Sequence, residues 1–332
     1  MVNEELLELI RTSRSFLIIG HEKPDGDCIF SCLAFREMLL ALGKDSKSIV
    51  LANQGPFIKP EISELEHNFI SHLPQEFLSQ EPLVCILDCA DTFRIGSAFA
   101  DSLKEAKLPR IVIDHHGTRG PMTFQSSYVD PASPSTTILV NGLYKAFGLY
   151  PSKQAALYIV QGFLTDTGFF RFLRGDQKGC LTAIADLVDH YALGLDRLYS
   201  RFFQQNTRAS QEFLFEICKR ASWHFDDRLV ISWETEEDMQ RFADSDRPSD
   251  MFYQEFLSVA TVKSIAFIKT GEEPGKFVLG FRSSHDSGID VGAIASTFGG
   301  GGHFHASGAS CFAKSLEDVI SLVKGEYSKY FK

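Results

Sequence analysis

Four short stretches carry side chains whose types and spacing suit metal chemistry. "HEKPDGD" holds His21, Asp25 and Asp27, "LDCAD" holds Asp88, "IDHHG" holds Asp114, His115 and His116, and "FLTDTGFFRF" holds Asp166. Taken singly, each has an ordinary explanation. An Asp just past a strand usually caps a helix or closes a turn, and Asp27 is expected to do so for the apolar run that follows it. A lone buried His is more often a satisfied core residue than a ligand. Brought together, the same carboxylates would repel one another and shift their pKa values upward. A divalent cation removes that penalty. This inventory of carboxylates and imidazoles suits a pair of Mn²⁺-like ions better than one structural zinc. Two such ions about 3.5–4 Å apart clamp a phosphoryl group and hold a hydroxide for in-line attack.

A second cluster lies in "FRSSHDSGIDVGAIASTFGGGGHFHASG", where Gly299, Gly300, Gly301 and Gly302 precede His303, with Arg282 and Ser283 upstream. Consecutive glycines bring backbone N–H groups unobstructed to a phosphate or nucleotide, beside which an Arg is well suited. They serve equally as a flexible turn between a helix and a strand, and composition does not separate the two readings.

The elements that must position these groups follow from periodicity. "SFLIIG", "SIVLAN", "LVCILD" and "RIVIDHH" read as short strands. "CIFSCLAFREMLLALG", "STTILVNGLYKAFG" and "KQAALYIVQGFLTD" read as helices, the second capped by Ser135. Near-continuous apolar strands alternating with helices predict an α/β fold with a parallel sheet covered on both faces. Ligands gather at the carboxyl ends of such strands, so the acids and histidines should meet on one rim. Further along, "RLVISWET", "VKSIAFIKT", "KFVLGFRSS" and "ASCFA" predict a smaller, mixed α/β domain. The expected organisation is a catalytic domain over 1–190, a helical linker over 191–211 and a substrate-binding domain over 212–332.

The chain has 332 residues, enough for two cores, and a formal net charge of −10. That charge argues against a long phosphate-tracking groove, so no long duplex nucleic acid is expected, while a small anion can still be held locally. No apolar run approaches the roughly 18 residues of a spanning helix, and the amino-terminal "MVNEELLELIRTSRS" lacks signal-peptide order. A cytoplasmic protein with no membrane association is expected. The seven cysteines are scattered through apolar segments and read as buried thiols rather than a disulfide framework.

"HEKPDGD", "LDCAD", "IDHH" and "LTDTGFF", in this order and followed by "GGGGHFHASG", closely resemble the motifs of the DHH phosphoesterase superfamily and its associated C-terminal domain. The form of "TDTGFFRF" and "GGGGH" is most similar to the nanoRNase/pAp-phosphatase branch. The resemblance implies two Mn²⁺ ions, the first held by His21, Asp25, Asp88 and Asp166, the second by Asp27, Asp88 and His115. It implies that Asp114 orients the His115 ring and that His116 faces the scissile phosphate. It also implies that Arg282, Ser283, Gly300, Gly301, Gly302 and His303 hold the terminal nucleotide. The substrates it implies are short oligonucleotides of two to five nucleotides, cleaved to mononucleotides, together with pAp; a homodimer is compatible with it. Relatives often carry Arg-Ser-Lys where this chain has Arg282, Ser283 and Ser284, with His285 next, and a small residue where it has His305. These departures bear on substrate preference. The rival readings are a phosphodiesterase for pApA or cyclic dinucleotides and, from another class, a non-catalytic nucleotide sensor. The sensor predicts eroded ligands, and every ligand position here is filled.

Overall fold

The apolar runs of the first half form short strands buried on both faces. β1 (Phe16–Ile19), β2 (Ile49–Ala52), β3 (Leu83–Leu87), β4 (Arg110–Asp114) and β5 (Ser126–Val129) make one parallel sheet in the order β2-β1-β3-β4-β5. The structure is a computed structural model and describes residues 2–116, 120, 123–204, 206–247, 249–271, 273–302 and 304–331. Successive strand residues point to opposite faces, and here they enter two separate cores. Phe16, Ile18, Cys85, Leu87, Ile111 and Ile113 lie in one, while Leu17, Ile19, Val84 and Ile86 lie in the other.

Helices cover both faces. On the first lie α1 (Glu4–Thr12), α2 (Gly26–Ala41) and the single turn α3 (Pro60–Ser63). On the second lie the short α4 (Gln75–Leu78) and α5 (Ser97–Glu105), through Phe77, Leu78, Phe99 and Leu103. The first face is completed by α6 (Thr136–Ala146), α7 (Lys153–Asp166), α8 (Gly179–Tyr191) and α9 (Leu195–Phe203). Helix α2 is buried almost all round, with Ile29, Phe30, Leu33, Phe35, Met38 and Leu39 in the core. Burying each such side chain contributes about 1.5–3 kcal/mol, so packing rather than helix propensity holds this scaffold.

The strand order creates the site. From β1 the chain runs to β2 on one side, then returns to β3 on the other. The carboxyl ends of β1 and β3 therefore flank the crevice in which open α/β sheets bind ligands.

Residues 206–332 form a second compact unit, separate from 1–205. Its elements are α10 (Arg208–Lys219), β6 (Ser222–His224), β7 (Leu229–Trp233), α11 (Glu236–Arg241), α12 (Ser249–Leu257), β8 (Ser264–Thr270), β9 (Lys276–Ser283), α13 (Val291–Thr297), β10 (Gly301–Gly302), β11 (Ala306–Phe312) and α14 (Leu316–Tyr327). The sheet order is β10-β11-β9-β8-β7-β6, antiparallel except between β7 and β8. This is the mixed sheet expected of the second half. Residues 191–211, expected as a linker, are divided between the units: α9 enters the first core through Leu198, and α10 starts the second unit. Among the described residues no helix is long and apolar enough to cross a membrane.

Candidate metal centre

Past β1 the chain turns at Gly20 and presents His21, which is buried. Its Nδ1 donates to the Glu22 carbonyl at 2.9 Å. That hydrogen bond makes Nδ1 the donor and turns Nε2 toward the acids. Nε2 is buried with no hydrogen-bond partner and faces Asp88 Oδ2 at 3.5 Å and Asp25 Oδ1 at 3.9 Å. Asp25 is the N-cap of α2, accepting from the Cys28 backbone N–H at 3.1 Å. The capping role expected of Asp27 therefore belongs to Asp25, because only the residue just outside the first turn can reach the free N–H groups.

Asp27 sits inside that first turn and is buried against α6. Its Oδ2 accepts from the Thr136 backbone N–H at 2.6 Å, and its Oδ1 accepts from the Thr137 backbone N–H at 3.1 Å and the Thr137 hydroxyl at 2.9 Å. A carboxylate thus occupies the amino terminus of α6, where unsatisfied N–H groups favour negative charge. The Thr136 hydroxyl donates to Asp88 Oδ1 at 2.8 Å. Thr136 and Thr137 were not singled out by sequence reasoning. The available signal was "SPSTT", two hydroxyl residues directly after the cap Ser135.

Asp88 is the hub. It directly follows β3 with φ +62, and its N–H donates to the Ile113 carbonyl at 3.0 Å. This left-handed conformation, tolerated by Asp more than by most residues, lies where its two oxygens face different imidazoles. Oδ2 is 3.5 Å from His21 Nε2, and Oδ1 is 3.5 Å from His115 Nε2. His115 Nε2 also lies 3.6 Å from Asp166 Oδ2, and its Nδ1 faces the Ser133 carbonyl at 3.4 Å. Asp166 is not on the strand rim. It is the last residue of α7, so helix packing, α2 against α7 above all, brings it to the strand ends.

Asp114 was expected to orient His115; it holds His116 instead. Its Oδ1 accepts from the His116 backbone N–H at 2.9 Å and from His116 Nδ1 at 2.7 Å. The reason is local: an Asp at a strand end reaches the N–H two residues on, and the same turn folds that residue's ring back onto the carboxylate. Asp114 Oδ2 is buried without a hydrogen-bond partner.

The electrostatics are those of an uncompensated acid cluster. Burial and then the Asp88 carboxylate push Asp27 up to about 7. Burial and then Asp27 push Asp166 well above the usual range. Burial works against charge on His115, but Asp88, Asp27 and Asp166 overcome it and raise the imidazole to about 9. Burial also opposes charge on Asp88, yet His21 and His115 hold its carboxyl well below the ordinary value. Donor atoms of His21, Cys28 and Asp88, of Asp88, His115 and His116, and of Asp27, His115 and Asp166 lie within 4.8 Å of one another in each group. The residues fit divalent cations. Two imidazoles have Nδ1 turned to a backbone carbonyl and Nε2 aimed at carboxylates, the arrangement of metal-binding histidines, and one of those Nε2 atoms is orphaned. Burial drives the Cys28 thiol well above its ordinary value.

Residues 15–162 match the family model described as DHH family, N-terminal domain. The chain is 28% identical over 316 residues, 94% of this chain and 90% of the other, to a protein of Thermus thermophilus named bifunctional oligoribonuclease and PAP phosphatase NrnA. It is 23% identical over 96% of its length to the cyclic-di-AMP phosphodiesterase PdeA of Listeria monocytogenes, spanning 47% of that protein. A crystal structure of an exopolyphosphatase-related protein from Bacteroides fragilis shares the fold, with a TM-score of 0.84, 21% identity, and coverage of 98% of this chain and 95% of that one.

In the second unit, the residues expected to hold a nucleotide also carry structural roles. The Arg282 guanidinium lies 4.6 Å from the Tyr253 ring centroid and 3.6 Å from Asp250 Oδ1. Ser283 is turned inward: its hydroxyl donates to the Ile289 carbonyl at 2.9 Å and lies 3.1 Å from His305 Nδ1, while its N–H donates to the His305 carbonyl at 3.1 Å. Its hydroxyl ties the end of β9 to the chain at Ile289 and His305. The glycines also serve the fold. The N–H groups of Gly299 and Gly300 cap α13 by donating to Ser296 and Ala295 carbonyls. A Cβ at Gly300 would lie 2.5 Å from Ala309 Cβ, and one at Gly302 would lie 2.6 Å from Ser307 Cα. Close approach to β11 requires glycine at both, and at Gly302 a φ of +146 does so as well. Gly301 has open space around it, and His303 lies outside the described residues. The departures His285 and His305 meet, with ring centroids 4.5 Å apart.

Proposed function

We propose that this chain is a Mn²⁺-dependent phosphoesterase that uses two ions to hydrolyse oligonucleotides of two to five nucleotides to mononucleotides, and that it also takes pAp to AMP. The observation that carries the reading is the position of Asp88, each of whose oxygens faces a different imidazole with acids close by. His21, Asp25, Asp88 and Asp166 would hold one ion, and Asp27, Asp88 and His115 the other. Bound divalent cations supply charge neutralisation of the carboxylates and Lewis-acid stabilisation of phosphoryl oxygens. The names of the relatives described above support the substrate class.

The remaining work falls to the protein. Thr136 and Thr137 fix the Asp27 and Asp88 carboxylates, so neither must reorganise as charge develops. Asp114 holds His116 by Nδ1, which leaves Nε2 as the atom that exchanges a proton with the leaving oxygen. Arg282 supplies positive charge in the second unit.

The pApA or cyclic-dinucleotide reading is kept open by the match to a cyclic-di-AMP phosphodiesterase over nearly the whole chain. Rates with Mn²⁺ on pAp, pApA, a pentanucleotide, an oligonucleotide of about two dozen residues, cyclic di-AMP and pyrophosphate separate the readings. Turnover of the pentanucleotide and pAp alongside pApA is expected, whereas turnover confined to pApA or cyclic di-AMP favours the rival. Preference for the long strand, or turnover of pyrophosphate alone, overturns the proposal.

A further inference from the structure

The chain leaves α7 through a tight bend that packs Phe169 and Leu173 against the first core. Gly168, Phe169 and Phe170 have φ values of +53, +55 and +72. Three successive left-handed residues, two of them aromatic, persist only where surrounding contacts over-determine them. Part of the bend is anchored. Phe169 meets Tyr199 edge-on at 5.2 Å, Phe170 meets Phe163 at 5.5 Å, and the Phe169 N–H donates to the Leu164 carbonyl at 2.8 Å. What it presents outward is aromatic. Phe172 is 50% exposed and Phe170 36% exposed. The Arg171 guanidinium lies 5.5 Å from the Phe172 ring centroid.

This aromatic surface is tied to the metal centre. The Phe172 ring lies over Gly168, where a Cβ would be 2.7 Å from its Cε2. Gly168 is two residues past Asp166, hence within about 7 Å of it along the backbone. Asp166 in turn faces His115 Nε2 at 3.6 Å. An exposed ring with a cation over it, beside a phosphoester centre otherwise made of acids and imidazoles, suits a nucleobase. Bases stack on aromatic faces with little regard to sequence, and Arg adds to that attraction.

We infer that Phe172, with Arg171 and Phe170, is a stacking platform for the base next to the scissile phosphate, so that the catalytic unit itself selects nucleotides over base-free phosphate esters. This rests on the phosphoesterase reading above and adds a specificity determinant to it.

The test compares pApA with an analogue lacking one base, in the wild type, Phe172→Ala, Phe172→Tyr and Arg171→Gln. The wild type is expected to show a lower KM for pApA than for the base-free analogue. Phe172→Ala should raise the KM for pApA about tenfold and shrink the ratio between the substrates by the same factor, with kcat changed far less. Phe172→Tyr should restore the ratio, and Arg171→Gln should weaken it partly. An unchanged ratio in Phe172→Ala, or a fall in kcat common to both substrates that Tyr does not rescue, overturns the platform while leaving the phosphoesterase reading standing. Failure of the wild type to hydrolyse either compound overturns both.

Discussion

Asp114 and His116 are joined twice, through the His116 backbone N–H at 2.9 Å and through Nδ1 at 2.7 Å, both onto the same carboxylate oxygen. One carboxylate therefore sets both the position and the tautomer of the imidazole. Asp114→Asn keeps the shape and can still accept the backbone N–H, but it no longer favours a proton on Nδ1. We expect kcat to fall about 10- to 100-fold with bound manganese unchanged, measured by steady-state kinetics beside elemental analysis. Loss of metal in step with activity would instead make His116 a ligand.

Asp88 needs both a carboxylate and a left-handed backbone. Asn tolerates φ +62 nearly as well as Asp, whereas Ala in that region costs about 1–2 kcal/mol. Asp88→Asn is thus expected to fold normally and lose all measurable hydrolysis, with Mn²⁺ no longer raising its melting temperature. Asp88→Ala should lose activity equally and also melt lower in chelator. Thermal unfolding with and without Mn²⁺ separates the two effects.

Metal-free protein should lose stability as pH rises. Asp27, raised to about 7, makes the folded state bind more protons than the unfolded chain between an unfolded value of about 4 and 7, so stability falls across that interval. His115, raised to about 9, contributes stability that is full below about 6.5 and lost as pH climbs towards 9. Both act in the same direction. The depressed Asp88 works oppositely, but only at acid pH below the unfolded value. Since cations would replace the missing protons, the gain in melting temperature on adding Mn²⁺ should grow from pH 5.5 to 8.5. A gain independent of pH would show that these groups are not the ligands.

Gly162 tests the threonine clamp. In the interior of α7, Ala is worth about 1 kcal/mol more than Gly on propensity alone. A Cβ there would sit 2.9 Å from Asp27 Oδ1 and collide with the Thr137 methyl, and such overpacking costs about 1–3 kcal/mol. Overpacking wins, because the atoms met are the clamp itself. Gly162→Ala should be destabilised and bind Mn²⁺ more weakly, as read by denaturant unfolding and metal titration. A variant more stable than wild type with unaltered metal affinity would refute the clamp.

Much of the catalytic unit was legible because it is written in local patterns. Apolar runs of four or five residues read as strands, and α7 spans the predicted "KQAALYIVQGFLTD". The family motifs named His21, Asp25, Asp27, Asp88, His115 and Asp166, and the fold gathers their donor atoms around Asp88. These features need only short-range periodicity and residue type, which the chain displays directly.

What only the tertiary structure decided is which atom meets which. Thr136 and Thr137 reach Asp27 across 109 and 110 residues, a pairing that depends on how α2 and α6 pack and leaves no trace in local spacing. Asp114 bonds His116 rather than the expected His115, because the turn after β4 folds the ring two residues on back onto the carboxylate. Gly300 and Gly302 lack side chains where β11 approaches, and the Ser283 hydroxyl turns to the Ile289 carbonyl, contacts that appear only once the chain is folded. Residue types determined what chemistry this chain could perform; the packing of distant helices and strands determined which side chains are free to perform it.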